Sequence, residues 1–131
     1  MVENKVVAHT REGQVVKGLT HDFDPERTDF HVLPAEGGGV PVRLRLDDLK
    51  ALFFVRDWIG NRLYAPPSAF GVGGAHGRRC VVTFLDGEVV LGFTPDYRPS
   101  ASGFTVFPAD AEDNNERIFV VADAVRGVQF P

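Results

Sequence analysis

An internal repeat constrains the fold of this chain of 131 residues more than any other feature. Residues 15–25 read VVKGLTHDFDP, and residues 89–99, 74 positions later, read VVLGFTPDYRP. With this offset, residues 5–35 lie over residues 79–109, and 12 of these 31 positions are identical. The second copy then gains two residues, and the alignment continues to the end of the chain. Such repetition at a fixed period indicates two copies of one supersecondary unit.

Each copy has the pattern of five β-strands. Apolar and polar residues alternate with period two, and β-branched residues are frequent, which is typical of half-buried strands. Glu12-Gly13 and Asp86-Gly87 are hairpin-turn dipeptides, and Gly18 and Gly92 indicate a bend or a close backbone approach inside the second strand. No ten-residue stretch has a helical period, so the chain is predicted to be all-β, with a single 3₁₀ turn at 47–49 and at 123–125. The predicted strands are 5–10, 14–21, 30–34, 42–46 and 50–55, then 79–84, 88–95, 104–108, 118–121 and 126–130.

The predicted domain organisation is a first repeat at 1–57, a linker at 58–78 and a second repeat at 79–131. The linker is rich in Gly, Pro and Ala, which favours irregular structure. Its aromatic residues Trp58, Tyr64 and Phe70 lie outside the strand pattern. Two compatible interpretations are open: they dock between the copies, or they present contact points to a partner protein.

Both copies share one spacing of glycines and aromatic residues. A turn glycine follows the first strand, a second glycine lies five residues later, and an aromatic residue with a charged neighbour comes shortly after. The residues in this spacing are Thr10, Gly13, Val16, Gly18, Phe23 and Asp24 in the first copy and Phe84, Gly87, Val90, Gly92, Tyr97 and Arg98 in the second. The spacing resembles that of the Sm-like small barrels (Sm, LSm and Hfq), whose close relative is the SH3-like fold. A second segment, 45–48 or 121–124, aligns with the Sm signature before the fifth strand.

The resemblance implies two tandem five-stranded Sm-like or SH3-like small barrels. A unit of about 55 residues buries only about 60% of its unfolded surface, so we expect the two to pack as a pseudo-dimer. The edges of the fourth and fifth strands, through which Sm-like barrels associate, are available for this contact. The Arg-Gly pair of the Sm signature is absent from both copies, and Arg98 stands where the first copy has Asp24. The RNA activity of Sm-like proteins is therefore not implied.

Charge and composition narrow the classes of partner. The formal net charge is −4 and the pI is about 5.5, which argues against tight binding of nucleic acid. No apolar run approaches the roughly 18 residues that a membrane span needs, and no signal-peptide pattern opens the sequence. Cys80 lies in a strand pattern as a small buried hydrophobe. We expect a cytoplasmic protein without a membrane contact.

The candidate catalytic and ligand-binding residues form no recognisable site. His9, His21 and His31 could approach a zinc geometry, but the second copy has Thr83, Pro95 and Thr105 at the same positions. Asp22 and Asp96 recur in both copies, and we interpret them as turn-capping carboxylates that bond their own backbone N–H groups. We expect no cofactor, no metal and no enzymatic activity.

The predicted function is therefore a non-catalytic protein-interaction or regulatory adaptor module. Its contacts would be strand edges or the groove between the repeats, with Trp58, Tyr64 and Phe70 as contact residues. The alternative is weak RNA or other nucleic-acid binding through a local basic group formed by Arg43, Arg45 and Lys50. The expected partner is an unidentified protein, and self-association through strand edges is a further possibility.

Overall fold

The computed structural model describes residues 4–36, 39–58, 77–110 and 113–131, and these residues form ten antiparallel strands. One single-turn 3₁₀ segment precedes the fifth strand of each repeat, and the described residues contain no α-helix. The elements of the first repeat are β1 (Asn4–Thr10), β2 (Val15–Thr20), β3 (Asp29–Pro34), β4 (Val42–Arg45), η1 (Leu46–Asp48) and β5 (Leu49–Val55). Those of the second are β6 (Arg78–Phe84), β7 (Val89–Thr94), β8 (Gly103–Pro108), β9 (Asn115–Val121), η2 (Ala122–Ala124) and β10 (Val125–Gln129).

All ten strands belong to one sheet with the order β10-β6-β7-β8-β9-β5-β1-β2-β3-β4. Within each repeat the order is fifth, first, second, third, fourth, so the topology follows the duplication in the sequence. The predicted all-β class is confirmed. The strand predictions differ from the structure mainly at β9, which begins three residues before the predicted position 118 because residues 115–117 also pair with β5.

The two repeats are joined by the antiparallel pairing of β5 with β9, which we call the seam. Ala51 lies opposite Val120, Leu52 opposite Phe119, and the pairing continues to Val55 opposite Asn115. The seam makes the sheet continuous across the duplication, and it uses the fifth strand of the first repeat and the fourth strand of the second.

Side chains on the two seam strands enter two different hydrophobic cores. In β5, Phe53 packs in one core with Cys80, Val82 and other residues of the second repeat. Its neighbour Phe54 points to the opposite face and packs in the core of the first repeat. The second repeat has the same arrangement. Phe119 and Val121 of β9 lie in the core of the first repeat, while Ile118 and Val120 lie in the core of the second. Each core therefore includes residues from the other repeat.

An aspartate motif is repeated at the end of the second strand of each copy. Asp22 Oδ1 accepts a hydrogen bond from the His31 backbone N–H at 2.9 Å and another from the Thr20 hydroxyl at 3.3 Å. The second copy repeats it, since Asp96 Oδ1 accepts from the Thr105 N–H at 2.9 Å and from the Thr94 hydroxyl at 3.2 Å. These carboxylates tie the second strand to a strand nine residues further on, rather than only capping their own turn.

The glycines predicted to mark hairpin turns do so, and those predicted to mark a bend or a close backbone approach lie at close approaches. Gly13 and Gly87 have φ of 96° and 95° and close the two hairpins. Gly18 and Gly92 lie where the second strand passes close over the third. A Cβ added to Gly18 would lie 2.1 Å from the Leu33 carbonyl oxygen, and one added to Gly92 would lie 2.3 Å from that of Phe107.

We predict that Gly18→Ala lowers the free energy of unfolding by about 3 kcal/mol, because the added methyl overlaps backbone that cannot move away cheaply. Urea denaturation followed by circular dichroism measures the change. Gly127→Ala is the matched control, since a Cβ there meets nothing within 4 Å, and its effect should stay within about 0.5 kcal/mol. Equal losses in the two variants would refute the close approach.

Candidate functional site: the groove between the repeats

Trp58, one of the predicted contact residues, is docked on the protein. Its indole Nε1 donates a hydrogen bond to the Gly18 carbonyl at 3.1 Å, and its ring packs against the core that contains Phe53. Lys5 Nζ lies 5.1 Å from the ring centroid, in the range of a cation–π contact. Trp58 therefore packs on the protein, and the residues that contact its indole nitrogen and its ring face, Gly18 and Lys5, both belong to the first repeat. Tyr64 and Phe70 lie outside the described residues.

The predicted basic group does not form a free cationic patch. Arg43 forms an ion pair with Asp29, and Arg45 with Asp47 at 3.1 Å. Both arginines are on β4, at an edge of the sheet. Their charges are already balanced by neighbouring carboxylates.

Lys50, the third member of that group, bridges the two repeats. Its ammonium lies 2.7 Å from Asp86 Oδ2 and also contacts Glu88, and only 12% of its side chain is exposed. Burial opposes the charged form, but the hydrogen bonds to Asp86 and Glu88 outweigh it and raise the pKa of Lys50. The same contacts lower the pKa of Asp86. This ion pair lies beside the seam and connects β5 to the hairpin turn of the second repeat.

Both repeats line a groove of about 480 Å³ beside the seam. Leu46, Phe119 and Val121 form an apolar floor. The loop after β2 forms one wall, and the loop after β7 forms the other. The rim is charged and consists of Glu26, Arg27, Asp47, Asp96, Arg98 and Asp123.

Some of the rim charges are already committed to contacts within the protein. Asp47 pairs with Arg45, and Asp96 holds the motif described above. In the described part of the chain, by contrast, the side chains of Glu26, Arg27, Arg98 and Asp123 take part in no hydrogen bond or ion pair. Two cations and two carboxylates are therefore available around an apolar floor, which suits a ligand with both an apolar group and charged or polar groups.

Sequence reasoning named the inter-repeat groove but not the residues that line it. A usable signal was present in the apolar runs 51–55 and 118–121, because a strand without alternation is buried on both faces. These runs identify the two strands that pair across the repeats, and the floor residue Phe119 lies in one of them.

The described residues contain no group of three or more His, Cys, Asp or Glu side chains that could hold a metal ion. His9 instead packs edge-on against Phe53 with a centroid distance of 4.8 Å, and His31 contacts Asp22 at 2.8 Å. Within the same part of the chain, no helix is long and apolar enough to cross a membrane.

Comparison with known proteins places this chain in a family whose function has not been assigned. A family model described as a family of unknown function (DUF6982) matches residues 2–130, so the chain belongs to this family. No curated protein and no solved structure matches it. The family match spans both repeats.

We predict that Lys50→Met destabilises the protein by about 1 kcal/mol at neutral pH, because it removes a partly buried ion pair between the repeats. The pKa of Asp86 is lowered in the folded state, so its contribution is present above the ordinary carboxyl pKa and is lost as pH falls through the folded value. The pKa of Lys50 is raised, so its contribution is lost only as pH rises through the folded value. The gap between wild type and variant should therefore narrow towards pH 3.

Denaturation at pH 7 and at about pH 3 measures this gap. The control is Arg126→Met, the same position in the second repeat, where the guanidinium donates to the Leu85 carbonyl at 3.2 Å rather than to a carboxylate. Its effect should not depend on pH over this range. A Lys50→Met effect that is equally large at both pH values would contradict the assignment.

Proposed function

We propose that this protein is a non-catalytic interaction module that binds a segment of a partner protein in the groove between its repeats. The observation that carries the proposal is the groove itself, a concave site of about 480 Å³ with an apolar floor and a charged rim, four of whose six charged side chains make no hydrogen bond or ion pair among the described residues. Neither repeat lines this groove alone. An extended segment could place an apolar side chain against Phe119 and Val121 and polar groups against Arg27 and Arg98.

We further propose that each repeat is a small barrel of Sm-like or SH3-like type and that the two form a pseudo-dimer. The strand order supports this, since each repeat has the sequence fifth, first, second, third, fourth. The close approach at Gly18 and Gly92 supports it as well, because a strand that curls between two parts of a sheet needs such a point. The joint would be the seam together with the Lys50 ion pair.

A protein partner suits the groove better than a nucleic acid does. The rim carries four carboxylates and two arginines, and carboxylates repel phosphates. The candidate basic residues Arg43, Arg45 and Lys50 each have a carboxylate neighbour, so a nucleic acid would have to break these pairs. Nucleic-acid binding through that group remains the alternative hypothesis.

The test of the groove uses a displayed library of random peptides selected on the wild-type protein. We expect the selected peptides to lose at least about tenfold in affinity for Ala101→Trp, which fills the groove, and for Arg98→Glu, which reverses a rim charge. Val15→Trp is the control, because Val15 is 48% exposed and lies outside the groove. Peptides that bind all of these variants equally would refute the proposal.

A binding titration of the protein and its variants with single-stranded RNA distinguishes nucleic-acid binding from peptide binding. Our proposal predicts that the protein shows no RNA binding of the kind that weakens as the salt concentration rises from about 50 to 200 mM. Salt-dependent binding that is lost in Arg43→Glu and Arg45→Glu, but retained in Ala101→Trp, would favour the nucleic-acid alternative instead.

A further inference from the structure

The outermost strands of the sheet, β4 and β10, are of the same two kinds as the strands that pair at the seam. In the described residues no strand pairs with the outer edge of β4 or of β10. By the duplication, β4 corresponds to β9, and β10 corresponds to β5. The seam is therefore a heterologous contact between a fourth and a fifth strand, and one unpaired strand of each kind is left over.

The fifth strands of both repeats share an irregularity at a cationic residue. The register of β1 with β5 shifts at Lys50, because Thr10 lies opposite Leu49 and His9 opposite Ala51. The register of β6 with β10 shifts in the same way at Arg126, between Val125 and Gly127. At the seam, the bulged Lys50 reaches across to Asp86 and Glu88.

In the first repeat, the positions that would accept Arg126, the counterpart of Lys50, line an open hollow. Glu12 and Gln14 occupy the positions that correspond to Asp86 and Glu88, and they line a polar hollow of about 610 Å³ next to β4. At the seam, beside Lys50, the hollow that remains is only about 140 Å³. Within the described part of the chain, the carboxylate of Glu12 makes no ion pair. Three arginines, Arg11, Arg43 and Arg45, also line the hollow, but Arg43 and Arg45 are paired with Asp29 and Asp47. The hollow thus has the size to receive a bulged cationic residue, and Glu12 supplies a carboxylate for it.

We propose that β10 of one molecule pairs antiparallel with β4 of a second copy of this chain, and that Arg126 enters the hollow to pair with Glu12. The register of the seam, transferred by the duplication, sets Gly127 opposite Leu44, Val128 opposite Arg43, and Gln129 opposite Val42. Pro41 lacks a backbone N–H and ends the pairing there. Because the contact is heterologous, repeated association builds a closed ring or an open chain.

The chemistry of the two edges makes this contact weaker than the seam. The seam strands are buried on both faces, whereas Val42 is 37% exposed and both edges alternate apolar with polar residues. Arg45 corresponds to the seam residue Val121 and brings a positive charge near Arg126, although Asp47 already pairs with it. Arg126 is exposed, and among the described residues its side chain donates only to the Leu85 carbonyl, so it can turn towards Glu12 at little cost. We therefore expect reversible association that depends on concentration.

Sedimentation velocity of the full chain from micromolar to millimolar concentration tests the proposal. The weight-average mass should rise with concentration. Arg126→Glu or Glu12→Arg alone should weaken association at least about tenfold, and the double variant, which restores opposite charges, should recover it. Arg98→Glu, the same charge reversal in the groove, should leave association unchanged.

A chain that stays monomeric up to millimolar concentration overturns the proposal, and so does association that ignores the Arg126 and Glu12 reversals. Circular dichroism of each variant checks that the fold is retained. Because Arg98→Glu affects only the groove, loss of peptide binding and loss of self-association are measured on different variants, and failure of one proposal leaves the other standing.

Discussion

The pairing of β5 with β9 is the contact on which the rest of the structure depends. A repeat of this size is marginal when it must fold alone, because too little of its surface becomes buried. In this protein the two seam strands increase the buried surface, because each contributes side chains to both cores. Phe53 and Phe54 are adjacent in β5 yet lie in different cores, and Phe119 of the second repeat completes the core of the first. We therefore expect the two repeats to fold as one unit with two cores.

The seam also creates the groove. The groove lies where the loop after β2 in the first repeat and the loop after β7 in the second face each other across Phe119 and Val121. The two loops have diverged, since Arg98 corresponds to Asp24 and Ala101 corresponds to Arg27. The two walls are therefore equivalent loops of the two repeats, and the differences between their sequences give each wall its own charges. A single repeat would offer neither the depth nor the pattern.

Much of the local structure could be predicted from the sequence because it depends on short-range chemistry. The hairpin turns follow from glycines at positive φ, the close backbone approaches from Gly18 and Gly92, and the strands from alternation that occurs twice. The pairing across the repeats depends on which edges are apolar on both faces. Residues 51–55 and 118–121 contain that information, while β4 and β10 alternate, but the comparison requires a strand-by-strand alignment of the two copies.

The groove was harder to predict, because its residues come from distant parts of the chain and belong to no motif. Arg43, Arg45 and Lys50 formed a basic group in the sequence, yet each has a carboxylate neighbour in the structure, and for Lys50 these are Asp86 and Glu88, which are in the other repeat. A cluster of like charges in the sequence does not show which carboxylates the fold places beside them. For Trp58, the same reasoning identified an unusual residue, and the structure shows that it docks on Gly18.

The dependence of each core on the other repeat can be measured most directly by dividing the chain. Residues 1–58 and 77–131 would be produced as separate fragments and followed by two-dimensional NMR of the backbone amides. We predict that neither fragment alone gives the dispersed spectrum of a folded protein, and that mixing them restores the spectrum of the intact chain. A fragment that folds on its own, with the same spectrum before and after mixing, would contradict the shared-core account.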